Sequence, residues 1–176
     1  MPQLSRVQAV SLVVLRTLIG WHFLYEGYFK LLLPGWARAG TPLAHWSASG
    51  YLNGATGPFS GVFHAMAASS LASSIDLAVP IALVLVGVSL TLGLLTRLGC
   101  WGALVLLFLF YISAIPTTGA PVTGQEGTYL LVSKNLIELA AVAAVLAFRT
   151  ERIAGLDVLF QTRRAAAPLR QTAAPA

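Results

Sequence analysis

The sequence predicts an all-α membrane protein, a bundle of four transmembrane helices whose N- and C-termini both lie in the cytoplasm. Two observations predict this class: 57% of the 176 residues are hydrophobic against 10% charged, and the hydrophobic residues fall into four separate blocks. Soluble domains rarely have this composition. The blocks lack the alternation of polar and apolar residues that a membrane β-barrel requires, so helices are the expected spanning elements.

Each block is long enough to cross a hydrocarbon core about 30 Å thick, which takes about 20 helical residues. The first block ends before Pro34 and Gly35, which are poor at continuing a helix. A short turn at Thr96 and Arg97 makes the second and third blocks a helical hairpin. The predicted spans are residues 8–33, 72–95, 98–116 and 128–148.

The long loop after the first span contains one further helical pattern. Phe59, Val62, Phe63 and Met66 follow Pro58 at the spacing of one helical face. This pattern predicts a short helix that either lies in the membrane interface or caps the bundle.

Residues 1–160 form the predicted membrane domain, because apolar periodicity stops near its end. Residues 161–176 are rich in Ala, Pro, Gln and Thr, which predicts a disordered cytoplasmic tail.

The basic residues predict the orientation of the spans. Arg6, Arg97, Arg149 and Arg152 lie at one set of span ends, whereas the two opposite loops carry Arg38 alone. Because Lys and Arg concentrate on the cytoplasmic side, these ends are predicted to be cytoplasmic. The net charge of +5 therefore reflects topology. It forms no basic cluster interleaved with aromatic residues, so we predict membrane lipids as partners and no nucleic acid.

Cysteine and histidine usage limits the possible redox chemistry. Cys100 is the single cysteine, which excludes an intrachain disulfide, a CxxC pair and a thiolate metal cluster. His22, His45 and His64 have no metal-ligand spacing, so no metal site is predicted. A redox cofactor would have to be diffusible and not covalently bound.

Ionisable residues within the predicted spans each need a partner or a purpose, since each costs about 3 kcal/mol or more to insert. On the first span Arg16, His22, Glu26 and Lys30 form one helical stripe. Glu26 and Lys30 have the i, i+4 spacing of an ion pair.

The fourth span carries a second set of charges, Lys134 and Glu138. With the span starting at residue 128, Glu138 falls at the depth of Arg16, which predicts a pair between these two side chains. Asp76, near the outer end of the second span, is predicted to meet Lys30 or Lys134.

Two interpretations of these polar residues remain open. They either form a paired core that fixes helix register, or they line a pocket in the outer half of the bundle. Such a pocket suits a quinone head group, with Lys, His22 or Asn135 donating to its carbonyl oxygens and Glu26, Asp76 or Glu138 exchanging protons. A proton or small-anion pathway would use the same geometry.

Several motifs together resemble the DoxX/DoxD family, which includes the small membrane subunit of thiosulfate:quinone oxidoreductase. They are Leu15-Arg16 with Gly20, Phe23-Leu24-Tyr25-Glu26-Gly27 and Lys30-Leu31; Pro34-Gly35-Trp36, Ser49-Gly50-Tyr51-Leu52 and Gly57-Pro58-Phe59; Gly87 with Gly93-Leu94-Leu95-Thr96-Arg97-Leu98; and Lys134-Asn135-Leu136-Ile137-Glu138 with Gly155-Leu156-Asp157. The resemblance implies a four-helix bundle in the inner (plasma) membrane of a prokaryote. It also implies association with quinone-linked oxidation of sulfur compounds.

The leading hypothesis is therefore a membrane subunit of a quinone-linked oxidoreductase that works with other membrane protein subunits. The predicted site residues are Arg16, Glu26, Lys30, Lys134 and Glu138 for catalysis and His22, Asp76 and Asn135 for quinone binding. The alternative is a non-catalytic accessory subunit packed against a larger respiratory or energy-converting complex. A small transporter is disfavoured because the sequence shows no broken helix and no internal repeat.

Overall fold

The structure is a computed structural model that describes residues 4–32, 46–115 and 128–165. The described chain is mostly helical. In chain order its elements are α1 (Arg6–Leu32), α2 (Ala48–Asn53), α3 (Ser60–Ala67), α4 (Leu71–Leu92), α5 (Thr96–Ser113), β1 (Thr128–Tyr129), β2 (Val132–Ser133), α6 (Lys134–Ala147), a 3₁₀ turn (Thr150–Arg152) and α7 (Leu156–Ala165).

Three described helices, α1, α4 and α5, are long and apolar enough to cross a membrane. Their bounds lie within a few residues of the first three predicted spans. The prediction of a largely helical chain with helices of membrane-spanning length and composition is confirmed. The orientation of the termini stays a prediction.

The fourth predicted span, residues 128–148, has a different structure. Its first six residues form an antiparallel hairpin in which Thr128 pairs with Ser133 and Tyr129 pairs with Val132, and Leu130 adopts a positive φ of 49° in the turn. Helix α6 has 14 residues and is about 21 Å long, shorter than a hydrocarbon core of about 30 Å. A four-span bundle is therefore not shown, although α6 packs against α5 and α1.

The bundle is held together mainly by close packing of α1 against α4. At Gly87 of α4 an added Cβ would lie 2.4 Å from the backbone nitrogen of Leu24, so the two backbones are in contact. Small residues permit this approach between membrane helices. The buried core comprises Ile19, Phe23, Leu83, Val86, Leu90, Cys100, Ala103, Leu107, Val142 and Val145.

A second, smaller core lies at the opposite end from the α4–α5 turn and is formed by α2 and α3 with α4. Its buried residues are Ala48, Leu52, Ala55 and Phe63. The predicted short helix after Pro58 is confirmed as α3, and its apolar face covers the bundle. We call this the cavity end and the end containing the α4–α5 turn the hairpin end.

Helix α7 continues to Ala165, so it enters the segment predicted to be disordered. Residues 166–176, the rest of that segment, lie outside the described residues.

Candidate functional site

A cavity of about 470 Å³ lies at the cavity end. Its walls come from α1, α4, α5 and the start of α6, and α2 and α3 cover it. The lining residues are His22, Phe23, Glu26, Lys30, Trp46, Ala48, Tyr51, Leu52, Phe59, Val62, Phe63, Met66, Ile75, Val79, Leu83, Leu106, Leu107, Leu109, Phe110, Ile112, Lys134 and Asn135. This volume is within the range of about 300–1,000 Å³ found for small-molecule sites.

Apart from the Tyr51 phenol of α2, the ionisable and amide groups that line the cavity come from two helices. His22, Glu26 and Lys30 belong to α1, and Lys134 and Asn135 are the first two residues of α6. The lining residues from α3, α4 and α5 are apolar. We call His22, Glu26, Lys30, Lys134 and Asn135 the polar wall. A cavity with one polar wall suits a ligand with an apolar body and a polar edge.

His22 and Glu138 form a close contact between α1 and α6 beside the cavity. His22 Nδ1 lies 2.8 Å from Glu138 Oε1 and 3.0 Å from Oε2. The side chain of His22 is 42% exposed and that of Glu138 is 14% exposed. A carboxylate can only accept, so Nδ1–H donates the hydrogen bond to Glu138, and Nε2 is the imidazole nitrogen left for a ligand in the cavity.

Glu138 was predicted to pair with Arg16, and that prediction is wrong. The sequence pattern places the start of the fourth helix at residue 128, whereas α6 starts at Lys134. Glu138 therefore lies in the second turn of α6, close to the cavity end, where it meets His22.

The predicted pair of Glu26 and Lys30 is confirmed, since Lys30 Nζ donates a hydrogen bond to a carboxylate oxygen of Glu26. Lys30 Nζ also lies 5.9 Å from the ring centroid of Trp46, within the distance of a cation–π contact. This contact joins α1 to the residues that precede α2. It holds an indole ring at the edge of the cavity.

Lys134 and Asn135 extend the polar wall from the other side. The side chain of Lys134 is exposed and that of Asn135 is half-buried. Lys134 is near enough to interact electrostatically with both His22 and Glu26. The structure therefore brings together five of the eight predicted site residues on one wall, and Glu138 lies directly behind His22.

Arg16 lies elsewhere, although it was predicted to be a site residue. Its side chain is only 2% exposed, and Nη1 donates to the carbonyl oxygens of Thr150, at 3.3 Å, and Ala154, at 2.7 Å. Its Nη2 atom lies beside Gly93, whose φ is 64°. Arg16 thus joins α1 to the segment between α6 and α7 at the hairpin end. It is absent from the cavity lining.

Asp157 adds a second contact at the hairpin end. Its two carboxylate oxygens accept hydrogen bonds from the backbone nitrogens of Leu95 and Thr96, each at 2.8 Å. A carboxylate at the start of a helix binds N–H groups that have no partner within the helix. We call Arg16, Asp157 and their backbone partners the anchor.

Asp76 has a capping role in the structure. Its carboxylate accepts hydrogen bonds from Ala48 N at 2.6 Å and from Ser47 Oγ at 3.2 Å. The predicted contact with Lys30 or Lys134 is thus replaced by one with α2, because the N-terminus of that helix offers backbone donors. Asp76 positions the cover and does not line the cavity.

The aromatic residues of the cover were missing from the predicted site. Tyr51 donates a hydrogen bond to the carbonyl oxygen of Phe110 at 3.2 Å and accepts one from Ser113 Oγ at 2.7 Å. Its ring packs edge-on against that of Phe110. Periodicity in the sequence predicts α3 alone, since α2 is too short to show it.

The histidines show no metal centre in the described part of the chain, where no group of three or more His, Cys, Asp or Glu residues could hold a metal ion. His64 Nε2 lies 3.2 Å from the carbonyl oxygen of Ala55. His45 lies outside the described residues.

Comparison of the chain with protein-family models, with curated proteins and with solved structures found no match. The resemblance to the DoxX/DoxD family therefore stays a prediction from the sequence motifs.

Proposed function

We propose that the protein is the quinone-binding membrane subunit of an oxidoreductase and that the quinone occupies the cavity. One observation carries the proposal: the His22–Glu138 pair lies at the polar wall of a cavity whose other walls are apolar and rich in aromatic residues. This arrangement offers both apolar surroundings for a quinone ring and a group that transfers protons. A cavity that binds lipid would need only the apolar surroundings.

The chemistry of quinone reduction matches the polar wall. A quinone becomes a hydroquinone by taking up two electrons and two protons, one proton at each carbonyl oxygen. His22 is placed to give a proton from Nε2 to one oxygen, and Glu138 stabilises the ring while it is charged. Lys134 gives the second proton to the other carbonyl oxygen, for which Asn135 is a further hydrogen-bond donor. The electrons come from a redox partner protein. The resemblance to the DoxD family suggests that this partner takes them from a sulfur compound.

Trp46 gives a direct test of binding, because quinones quench indole fluorescence and Trp46 lines the cavity. The purified protein in detergent is titrated with 2-methyl-1,4-naphthoquinone, and quenching is compared with that of Trp46→Phe. Saturable quenching that is lost in Trp46→Phe supports the proposal. Quenching that rises linearly without saturation contradicts it.

A cavity-filling variant tests the location. Val79 lines the cavity, whereas Leu85 on the same helix is 65% exposed. Val79→Phe should weaken saturable quenching at least tenfold and Leu85→Phe should leave it unchanged. If the two substitutions weaken quenching equally, the quinone binds outside the cavity. If no quinone binds at all, the accessory-subunit interpretation is favoured.

A further inference from the structure

Tyr51 brings a polar group into the cavity from outside the polar wall. Among the described residues that line the cavity, it is the one ionisable residue that lies on neither α1 nor α6. It belongs to α2 in the cover, and it is 44% exposed, so its phenol is not sealed inside the protein. A phenol keeps its proton at neutral pH and both donates and accepts hydrogen bonds. Tyr51 is therefore a further donor beside the ligand.

The hydroxyl of Tyr51 lies in a group of three oxygen atoms. Its oxygen is 3.2 Å from the carbonyl oxygen of Phe110 and 2.7 Å from Ser113 Oγ, and Ser113 Oγ is 2.9 Å from the same carbonyl oxygen. Ser113 is fully buried at 0% exposure. The Phe110 carbonyl belongs to the last turn of α5, where carbonyl groups have no N–H partner within the helix and need another donor.

The three contacts share only two protons, one on each hydroxyl. In one arrangement Ser113 donates to Tyr51, and Tyr51 donates to Phe110. In the other, Ser113 donates to Phe110, which is closer to it than to Tyr51, and the Tyr51 proton turns to a ligand oxygen. Both arrangements contain two hydrogen bonds. Tyr51 can therefore bind a ligand without leaving the Phe110 carbonyl unpaired, which would carry a cost in free energy.

A quinone has a place for this donor. Each of its two carbonyl oxygens accepts two hydrogen bonds, so four donors complete its hydrogen bonding. The proposed function places three donors of the polar wall at these oxygens, His22, Lys134 and Asn135. The phenol of Tyr51 supplies the fourth.

We infer that Tyr51 binds a carbonyl oxygen of the quinone and that Ser113 positions it by donating to the Phe110 carbonyl in its place. This inference rests on the proposed function and adds a binding residue from the cover. Tyr51 touches the ligand, whereas Ser113 acts through Tyr51. The cover then recognises the polar edge of the ligand as well as its apolar body.

Two probes with the same ring system test the inference. The first, 2-methyl-1,4-naphthoquinone, has two carbonyl oxygens, and the second, 1,2,4-trimethylnaphthalene, has a methyl group in place of each. Their affinities for the full-length protein in detergent are measured by displacement of tritium-labelled 2-methyl-1,4-naphthoquinone. Tyr51→Phe keeps the ring that packs against Phe110 and removes the hydroxyl. It should weaken quinone binding about threefold to tenfold, as expected for one hydrogen bond, and leave hydrocarbon binding unchanged.

Ser113→Ala tests the positioning role. In this variant the Phe110 carbonyl depends on Tyr51 alone among the described side chains, so a ligand that binds Tyr51 leaves that carbonyl unpaired. Ser113→Ala should show the same selective loss although Tyr51 is intact. Because the two hydroxyls act as one unit, the double variant should lose no more than Tyr51→Phe alone.

Tyr111→Phe is the matched control. Its hydroxyl also donates to a backbone carbonyl, that of Leu131 at 2.9 Å, but Tyr111 does not line the cavity. The control should bind both probes like the unmodified protein.

The possible outcomes separate the inference from the proposed function. If Tyr51→Phe weakens both probes equally, or weakens neither, the inference is overturned and the proposed function stands. Additive losses in the double variant overturn the role of Ser113. If Ser113→Ala does not fold, the comparison of Tyr51→Phe with Tyr111→Phe still decides the role of Tyr51. If the unmodified protein shows no saturable binding of the labelled quinone, the inference and the proposed function both fail.

Discussion

Replacing Arg16 with methionine should destabilise the hairpin end and spare the cavity. The substitution keeps a long apolar side chain and removes the guanidinium donors of the carbonyl oxygens of Thr150 and Ala154. The carbonyl oxygen of Thr150 still accepts a hydrogen bond from Ile153 N at 3.0 Å, so only that of Ala154 loses its donor, which costs about 1–3 kcal/mol. Burial of the guanidinium itself is unfavourable, and its removal offsets part of this loss. We expect a net loss of about 1.4 kcal/mol in the free energy of opening this end.

The single cysteine provides the assay. Cys100 is fully buried at 0% exposure and reacts with a fluorogenic maleimide only when the surrounding structure opens. Because 1.4 kcal/mol corresponds to a factor of ten, Arg16→Met should raise the labelling rate about tenfold. Arg97→Met is the matched control, since Arg97 is exposed at the same end.

Two results would refute this reasoning. A labelling rate for Arg16→Met within about threefold of the control corresponds to less than about 1 kcal/mol and would show that the carbonyl contacts contribute little. If Arg16→Met loses naphthoquinone binding while its Cys100 thiol stays protected, Arg16 contributes to ligand binding.

Three further predictions concern single contacts. Asp157→Ala removes the acceptor of two backbone hydrogen bonds at the start of α5 and should lower the free energy of unfolding by about 1–2 kcal/mol, measured by the same thiol labelling. Gly87→Ala places a Cβ against the backbone of Leu24 and should cost about 1–3 kcal/mol in denaturant titration, whereas Gly50→Ala, with open space around it, should cost little. Glu138→Gln should lower quinone reduction by the reconstituted complex about 100-fold with unchanged thiol labelling.

Each of these predictions has a contradicting outcome. Wild-type labelling of Asp157→Ala would mean that α5 begins equally well without the cap. If Gly87→Ala and Gly50→Ala have equal free energies of unfolding, α1 and α4 accommodate the added Cβ at position 87 without loss of stability. Full activity of Glu138→Gln would remove the histidine–carboxylate pair from the mechanism.

The fold was predictable wherever a single physical signal dominates. Long apolar blocks defined α1, α4 and α5 within a few residues, because the hydrocarbon thickness fixes the length of a spanning helix. The start of α6 was missed, because Tyr129 to Val132 are apolar and run on into the apolar helix, so hydropathy does not separate the hairpin from the helix. The two-residue turn at Leu130 and Leu131 contains none of the Gly, Asn or Asp residues that usually mark a hairpin.

That one error accounts for the largest mistake in the site. Placing the helix start six residues too early put Glu138 at the depth of Arg16, whereas the structure pairs it with His22. The pair of Glu26 and Lys30 was predictable because it depends only on local helical spacing. The contacts of Arg16 with backbone carbonyls leave no trace in the sequence, since any residue supplies a carbonyl oxygen.

Native mass spectrometry of the protein, extracted from its own membrane in a mild detergent, tests directly whether the cavity binds a quinone. We expect one quinone retained per chain, lost in Val79→Phe and kept in Leu85→Phe. Retention of phospholipid alone, with no quinone in any variant, would contradict the assignment of the cavity as a quinone site.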